Sequence, residues 1–142
     1  MLRRSFLVVL FVLLAAGCGG GGGAGEPTTS VGQSPTNPTA LVVTKDCGKT
    51  IVVKRTNVGA GQTAMRALDQ VADVETDSGG KFVTGINGVE QNTGKKLAWL
   101  YYVNGVAAQK GAAEVKLAEG DVEWWDLHNY EHECATVPAA AK

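Results

Sequence analysis

The sequence has no apolar run long enough to cross a bilayer as a helix. The longest, residues 6–16, stops at 11 residues, against the ~20 that a span requires. Histidine is scarce, with only His128 and His132 in 142 residues. No serine, cysteine or acidic residue is arranged with either in a nucleophile–base–acid pattern, so a non-catalytic protein is expected. No phosphate loop or dinucleotide fingerprint occurs; the glycines at 19–23 lack the flanking strand and helix that such a loop needs. Basic charge is also short. Thirteen Lys and Arg stand against fourteen Asp and Glu, and no basic patch offers a footprint for nucleic acid.

What is present begins at the N-terminus. Arg3 and Arg4 precede the apolar run, and the small residues Ala15, Ala16 and Gly17 lead into Cys18. A positive start, a short apolar core and small residues at its end describe a secretory signal peptide over residues 1–17. Leu14-Ala15-Ala16-Gly17-Cys18 resembles the bacterial lipobox, with Ala15 where Leu is usual. The resemblance implies cleavage before Cys18, acylation of that cysteine and a lipid anchor on the extracytoplasmic face of the cell membrane. Each buried methylene of such an anchor contributes about 0.8 kcal/mol. Cleavage removes two arginines and no acid, which moves the net charge from −1 to −3.

Residues 18–39 read as the lipidated cysteine and a tether. The stretch is rich in Gly, Thr, Ser and Pro, carries one charge, Glu26, and has too little apolar surface to fold. As a flexible coil it reaches about 25 Å. With Cys18 taken by lipid, Cys47 and Cys134 remain, and two thiols in an exported protein are expected to form one disulfide.

The folded domain is expected over residues 40–138, with 139–142 a tail. Residues 41–44 and 50–55 are β-branched runs flanking a turn at Cys47-Gly48. Met65, Leu68, Val71 and Ala72 share a face at helical spacing behind Thr63, a candidate N-cap. Residues 82–86, 98–103 and 122–127 read as strands. Asn104-Gly105 supplies a hairpin turn, because Asn-Gly readily takes positive φ. The order predicts an α+β domain of β-grasp type: one helix packed on a mixed sheet of four or five strands.

Two groups of residues are candidates for binding. The aromatics Trp99, Tyr101, Tyr102, Trp124 and Trp125 lie on strands, where alternation sends neighbours to opposite faces. Val122 shares a face with Trp124 and points it inward. Glu123 shares a face with Trp125 and points it outward, beside Asp126, His128 and Tyr130. An outward Trp flanked by hydrogen-bonding groups suits a planar or amphipathic ligand. The alternative for each Trp is ordinary core. The second group, Asp126 to Cys134, collects metal-ligand types, and His128 and His132 would share one face if the segment were helical. Its alternative is a solvated tail.

Trp99-Leu100-Tyr101-Tyr102-Val103-Asn104-Gly105 and Leu117-Ala118-Glu119-Gly120-Asp121-Val122, with the helix before them, resemble the transcobalamin-like C-terminal domain family. The likeness covers about residues 50–130, and the ending from Trp124 to Tyr130 resembles a bacterial branch. It implies a small domain that binds a soluble ligand such as a corrinoid (cobalamin-like), although the large helical domain that completes such sites is not in this chain. The expected function is a tethered binding module for a small ligand or for an envelope transport protein. The alternatives are a structural or interaction module of the cell envelope, or metal binding through residues 128–134.

Overall fold

The computed structural model describes residues 38–134. Residues 1–37 and 135–142 lie outside the described residues, and with them the expected signal peptide, the expected lipidation at Cys18 and nearly all of the expected tether.

The domain is mostly β. A five-stranded mixed sheet has the order β2-β1-β8-β6-β7, formed by β1 (Thr39–Lys45), β2 (Thr50–Val58), β6 (Leu97–Val103), β7 (Val106–Ala107) and β8 (Val122–Asn129). A smaller antiparallel sheet joins β3 (Val74–Thr76), β4 (Val83–Ile86) and β5 (Val89–Glu90). The one α-helix among the described residues, α1 (Ala64–Asp69), is a short element capped by Thr63, whose hydroxyl accepts from Arg66 N–H at 3.3 Å. The mixed sheet, the helix, the turn at Cys47-Gly48 and the Asn104-Gly105 hairpin stand. The second sheet was not foreseen: β3 and β5 are only three and two residues long, too short to show the period-two pattern.

Turn chemistry explains the strand breaks. Asn104 and Gly105 sit at φ 53° and 83° between β6 and β7, as a two-residue hairpin requires. At the β1–β2 turn Asp46, Cys47 and Gly48 all have positive φ. The carboxylate of Asp126 braces this turn by accepting from the N–H groups of Cys47 and Gly48, each at 2.9 Å.

β8 is the centre of the molecule, parallel to β1 and antiparallel to β6. One face carries Leu41, Val43, Trp99, Trp125 and Leu127, packed with Ala64, Ala67 and Leu68 of the helix and with Val83 and Ile86 of the small sheet. The other carries Val42, Tyr102 and Trp124, with Cys134 packed beside them. The Cys47–Cys134 disulfide is formed, with Cα atoms 5.3 Å apart and a sequence separation of 87. It fastens the turn after β1 to the segment after β8. A loop of that length is worth roughly 4.5 kcal/mol in the chain-entropy account.

The expectation that Trp125 faces outward is overturned. Trp124 is 1% exposed and Trp125 2%. The sequence argument took Glu123 as a marker of solvent, but Glu123 is itself fully buried and accepts a hydrogen bond from the Trp125 indole at 2.6 Å. Both faces of β8 are covered, so adjacent tryptophans can both enter a core, each in its own. Trp124→Ala and Trp125→Ala should therefore each destabilise the domain by roughly 3–5 kcal/mol, read as a shift in denaturant midpoint. A Trp125→Ala midpoint matching wild type would contradict this packing.

Candidate functional site

The edge of β6 away from β8 is only partly covered. Leu97 exchanges two backbone hydrogen bonds with Asn92, at 2.9 and 3.0 Å, and the Tyr101 carbonyl accepts from Ala108 N–H at 3.0 Å. In an antiparallel strand, alternate residues direct their backbone polar groups to the same edge. Leu97, Trp99 and Tyr101 therefore face away from β8. Between the two paired points, the N–H and C=O of Trp99 and the N–H of Tyr101 have no backbone partner among the described residues. The sheet edge is interrupted by a slot.

A groove of about 520 Å³ wraps this slot. Lys81, Phe82 and Val83 form one wall, and the loop from Ala107 to Ala112 forms another. Trp99, Tyr101 and Trp125 give it an aromatic floor; Tyr101 stacks on Trp125 with centroids 4.9 Å apart. The floor is fixed by polar tips. Trp99 Nε1 donates to the Val89 carbonyl at 3.0 Å, and the Tyr101 hydroxyl donates to the Lys110 carbonyl at 2.6 Å. Phe82 and Tyr130, 70% and 50% exposed, stand at the rim. Apolar walls with a few fixed hydrogen-bonding groups are the usual make-up of a ligand site.

Three of the four residues expected in a binding face, Trp125, His128 and Tyr130, line this groove. Trp125 does so from beneath Tyr101. Asp126 is not among the lining residues and lies behind His128. Phe82, Lys81 and the loop from 107 to 112 were missed, because only the tertiary fold brings the small sheet and that loop to the β6 edge. The exposure expected for a surface aromatic belongs to Phe82, whose strand was predicted but whose position at its mouth was not.

Behind the groove runs a buried polar network. His128 Nδ1 lies 2.9 Å from Asp126 Oδ1, and its Nε2 lies 3.3 Å from the Tyr102 hydroxyl. The Thr44 hydroxyl donates to Asp126 Oδ2 and accepts from Trp124 Nε1 at 2.7 Å. Burial alone would raise the Asp126 pKa. The hydrogen bonds from His128, Thr44 and the backbone of Gly48 and Cys47 outweigh it and leave the carboxyl below its ordinary range. His132 is exposed and follows a strand end and turn, so the helical pairing with His128 does not form.

On the other face Glu123 is isolated. Its Oε1 accepts from Trp125, while Oε2 has no partner among the described residues. Desolvation pushes its pKa from 4.5 up to about 8, against a smaller lowering by the Trp125 hydrogen bond. A neutral acid therefore holds the indole at the groove floor near neutral pH.

Residues 61–129 match the family described as Domain of unknown function (DUF4430). No curated protein matches the chain. Among solved structures, the domain is similar to a candidate metal binding protein from Ruminococcus gnavus, with a TM-score of 0.52 and 18% identity, over 66% of this chain and 97% of that one. It is also similar to haptocorrin in complex with Cbi, with a TM-score of 0.48 and 15% identity, over 68% of this chain and 26% of that one. The first likeness extends to nearly the whole of the bacterial protein and shows the fold.

The Glu123 environment makes stability depend on pH. The folded pKa is raised, so this group's contribution is fully present below about 4.5 and is lost as pH rises through about 8. Glu123→Gln should abolish that decline, giving a flatter profile of unfolding free energy between pH 5 and 9 (an interval of about four units around the shift). An unchanged slope would place the titration elsewhere.

Proposed function

We propose that this chain, a DUF4430 domain over residues 61–129, is a non-catalytic binding module held at the extracytoplasmic membrane face by lipid on Cys18. The observation that carries the binding role is the β6 slot: three unpartnered backbone groups at the base of an aromatic groove. Buried strand edges are ordinarily paired, because an unsatisfied backbone group costs free energy. A groove that leaves them open beside Trp99, Tyr101 and Phe82 is suited to a ligand with an apolar body and amide or carboxylate groups at its periphery. Trp99 N–H and Tyr101 N–H would donate to the ligand, Trp99 C=O would accept, and the aromatic floor would take the apolar part.

A corrinoid-like small molecule fits that description, being broad, apolar over its ring and fringed with amides. The resemblance of Trp99 to Gly105 and Leu117 to Val122 to the transcobalamin-like family supports this choice. The tether between Cys18 and Thr39 would place the groove clear of lipid headgroups, where it could pass ligand to an envelope transport protein. The alternative is an interaction module, in which the same slot receives a strand from a partner protein.

Titrating the protein with cobinamide while following thermal unfolding tests the small-ligand reading. At a hundredfold excess over Kd, stabilisation should be about 2.7 kcal/mol. Phe82→Ala should weaken binding at least tenfold without lowering the unliganded Tm, since Phe82 is largely exposed. No shift with cobinamide at any concentration would leave the interaction module as the better account.

The anchor has its own test. Cys18→Ala should move the protein from the membrane fraction to the soluble extracytoplasmic fraction and remove the acyl mass. Retention in the membrane with unchanged mass would refute lipidation at this residue.

A further inference from the structure

Four donors of metal-binding type converge on the face of β8 that carries Trp124. The Sγ atoms of Cys47 and Cys134, a carboxylate oxygen of Asp126 and a ring nitrogen of His128 all lie within 4.8 Å of one another. They come from three separate stretches: the turn after β1, the strand β8 and the segment that follows it. Asp126 and His128 are buried, and Cys134 is half-buried. This cluster differs from the His128–His132 pair that the sequence suggested.

Two sulfurs, an imidazole and a carboxylate form a donor set for a borderline-soft divalent ion in tetrahedral geometry, with zinc the natural occupant. Zinc bonds of ~2.0–2.3 Å put tetrahedral donors roughly 3.5 Å apart. The present spread exceeds that by about 1 Å, which side-chain rotation of the cysteines can close once they are no longer bonded to each other. The cluster would also persist after that bond opens. The turn carrying Cys47 is held by the Asp126 carboxylate through the N–H groups of Cys47 and Gly48. Thr44 and His128 hold Asp126 from its other sides. Cys134, on the segment after β8, packs beside Val42, Tyr102 and Trp124.

We propose that Cys47 and Cys134 exchange between two states: the disulfide, and a pair of thiolates that with Asp126 and His128 binds one zinc-class ion. Opening the S–S bond takes two electrons and two protons from a dithiol reductant, which leaves as its own disulfide. Metal binding then releases the two thiol protons, and His128 gives up one of its hydrogen bonds, to Asp126 or to Tyr102, to coordinate. Reoxidation by a disulfide oxidant, which takes the two electrons and leaves as a dithiol, joins the sulfurs and removes both thiolate ligands, so the ion leaves. Disulfide and metal exclude each other, and the same four residues serve as a staple in one state and a closed metal site in the other.

The experiment uses the full purified chain, oxidised or reduced with a dithiol that is then removed without air, and titrated with zinc against a chromophoric chelator. The reduced protein should take up one ion per chain and the oxidised protein none, and a thiol oxidant should release the bound ion in step with loss of free thiols. His128→Ala should weaken uptake by the reduced protein at least tenfold. Cobalt in place of zinc, on the wild-type chain, should give the absorption of a four-coordinate thiolate site, which needs no variant to fold. If reduction unfolds the chain, stoichiometric zinc should restore its circular dichroism. Failure of zinc to bind or to restore the fold, or uptake that is indifferent to His128→Ala, would overturn the proposal. None of these outcomes bears on cobinamide binding in the β6 groove.

Discussion

β8 is enclosed on both faces and on both edges, and every side chain from Glu123 to His128 is buried. Few strands carry that constraint together with three ionisable residues. An acid or an imidazole inside a small domain costs free energy unless it is neutral or hydrogen-bonded. The rest of the structure is arranged around meeting that condition. Asp126 stays charged by accepting from His128, Thr44 and two backbone N–H groups. Glu123, with one donor, becomes neutral instead. The two acids lie three residues apart on opposite faces, and the number of donors around each decides which form it takes.

The Asp126 solution has a structural consequence beyond its own stability. The backbone donors it uses belong to the turn at Cys47, so meeting the needs of a buried carboxylate also fixes where that cysteine sits. Cys134 then lies close enough to close the bridge. Hydrogen bonds, turn geometry and disulfide thus reinforce one another, and a loss at Asp126 would be felt at all three. This is also why a metal-competent set of donors exists there at all. The network assembles imidazole, carboxylate and sulfur for reasons of packing, and their proximity makes further chemistry available.

The groove arises from a different shortage. β7 is two residues long and covers only the end of β6, while Asn92 covers its beginning. The middle of the strand, at Trp99, is left to the wall formed by Phe82 and the loop after β7. Large aromatic side chains keep this open edge from collapsing, because their indole and phenol tips are tied to the carbonyls of Val89 and Lys110. An edge kept open by fixed aromatics is pre-organised, which lowers the ordering cost of binding.

Local features of the domain were legible from residues alone because local physics decides them. Thr63 caps a helix, Asn104-Gly105 turns a hairpin, and β-branched runs at 41–44 and 50–55 pair. An expectation of export and the bracketing of the domain by Cys47 and Cys134 were enough to expect their bridge. The strands β3 and β5 were too short for any pattern to announce them. The orientation of Trp125 was misread because sequence assigns Glu123 its usual place in water. Only the fold, by covering the second face of β8 and supplying an indole donor, could place that acid inside. The groove shows the same division. Sequence determined that Trp125, His128 and Tyr130 stand on or just beyond one strand, whereas the tertiary structure decided what they face, because Phe82, Lys110 and the β6 edge meet there only when strands distant in sequence pair.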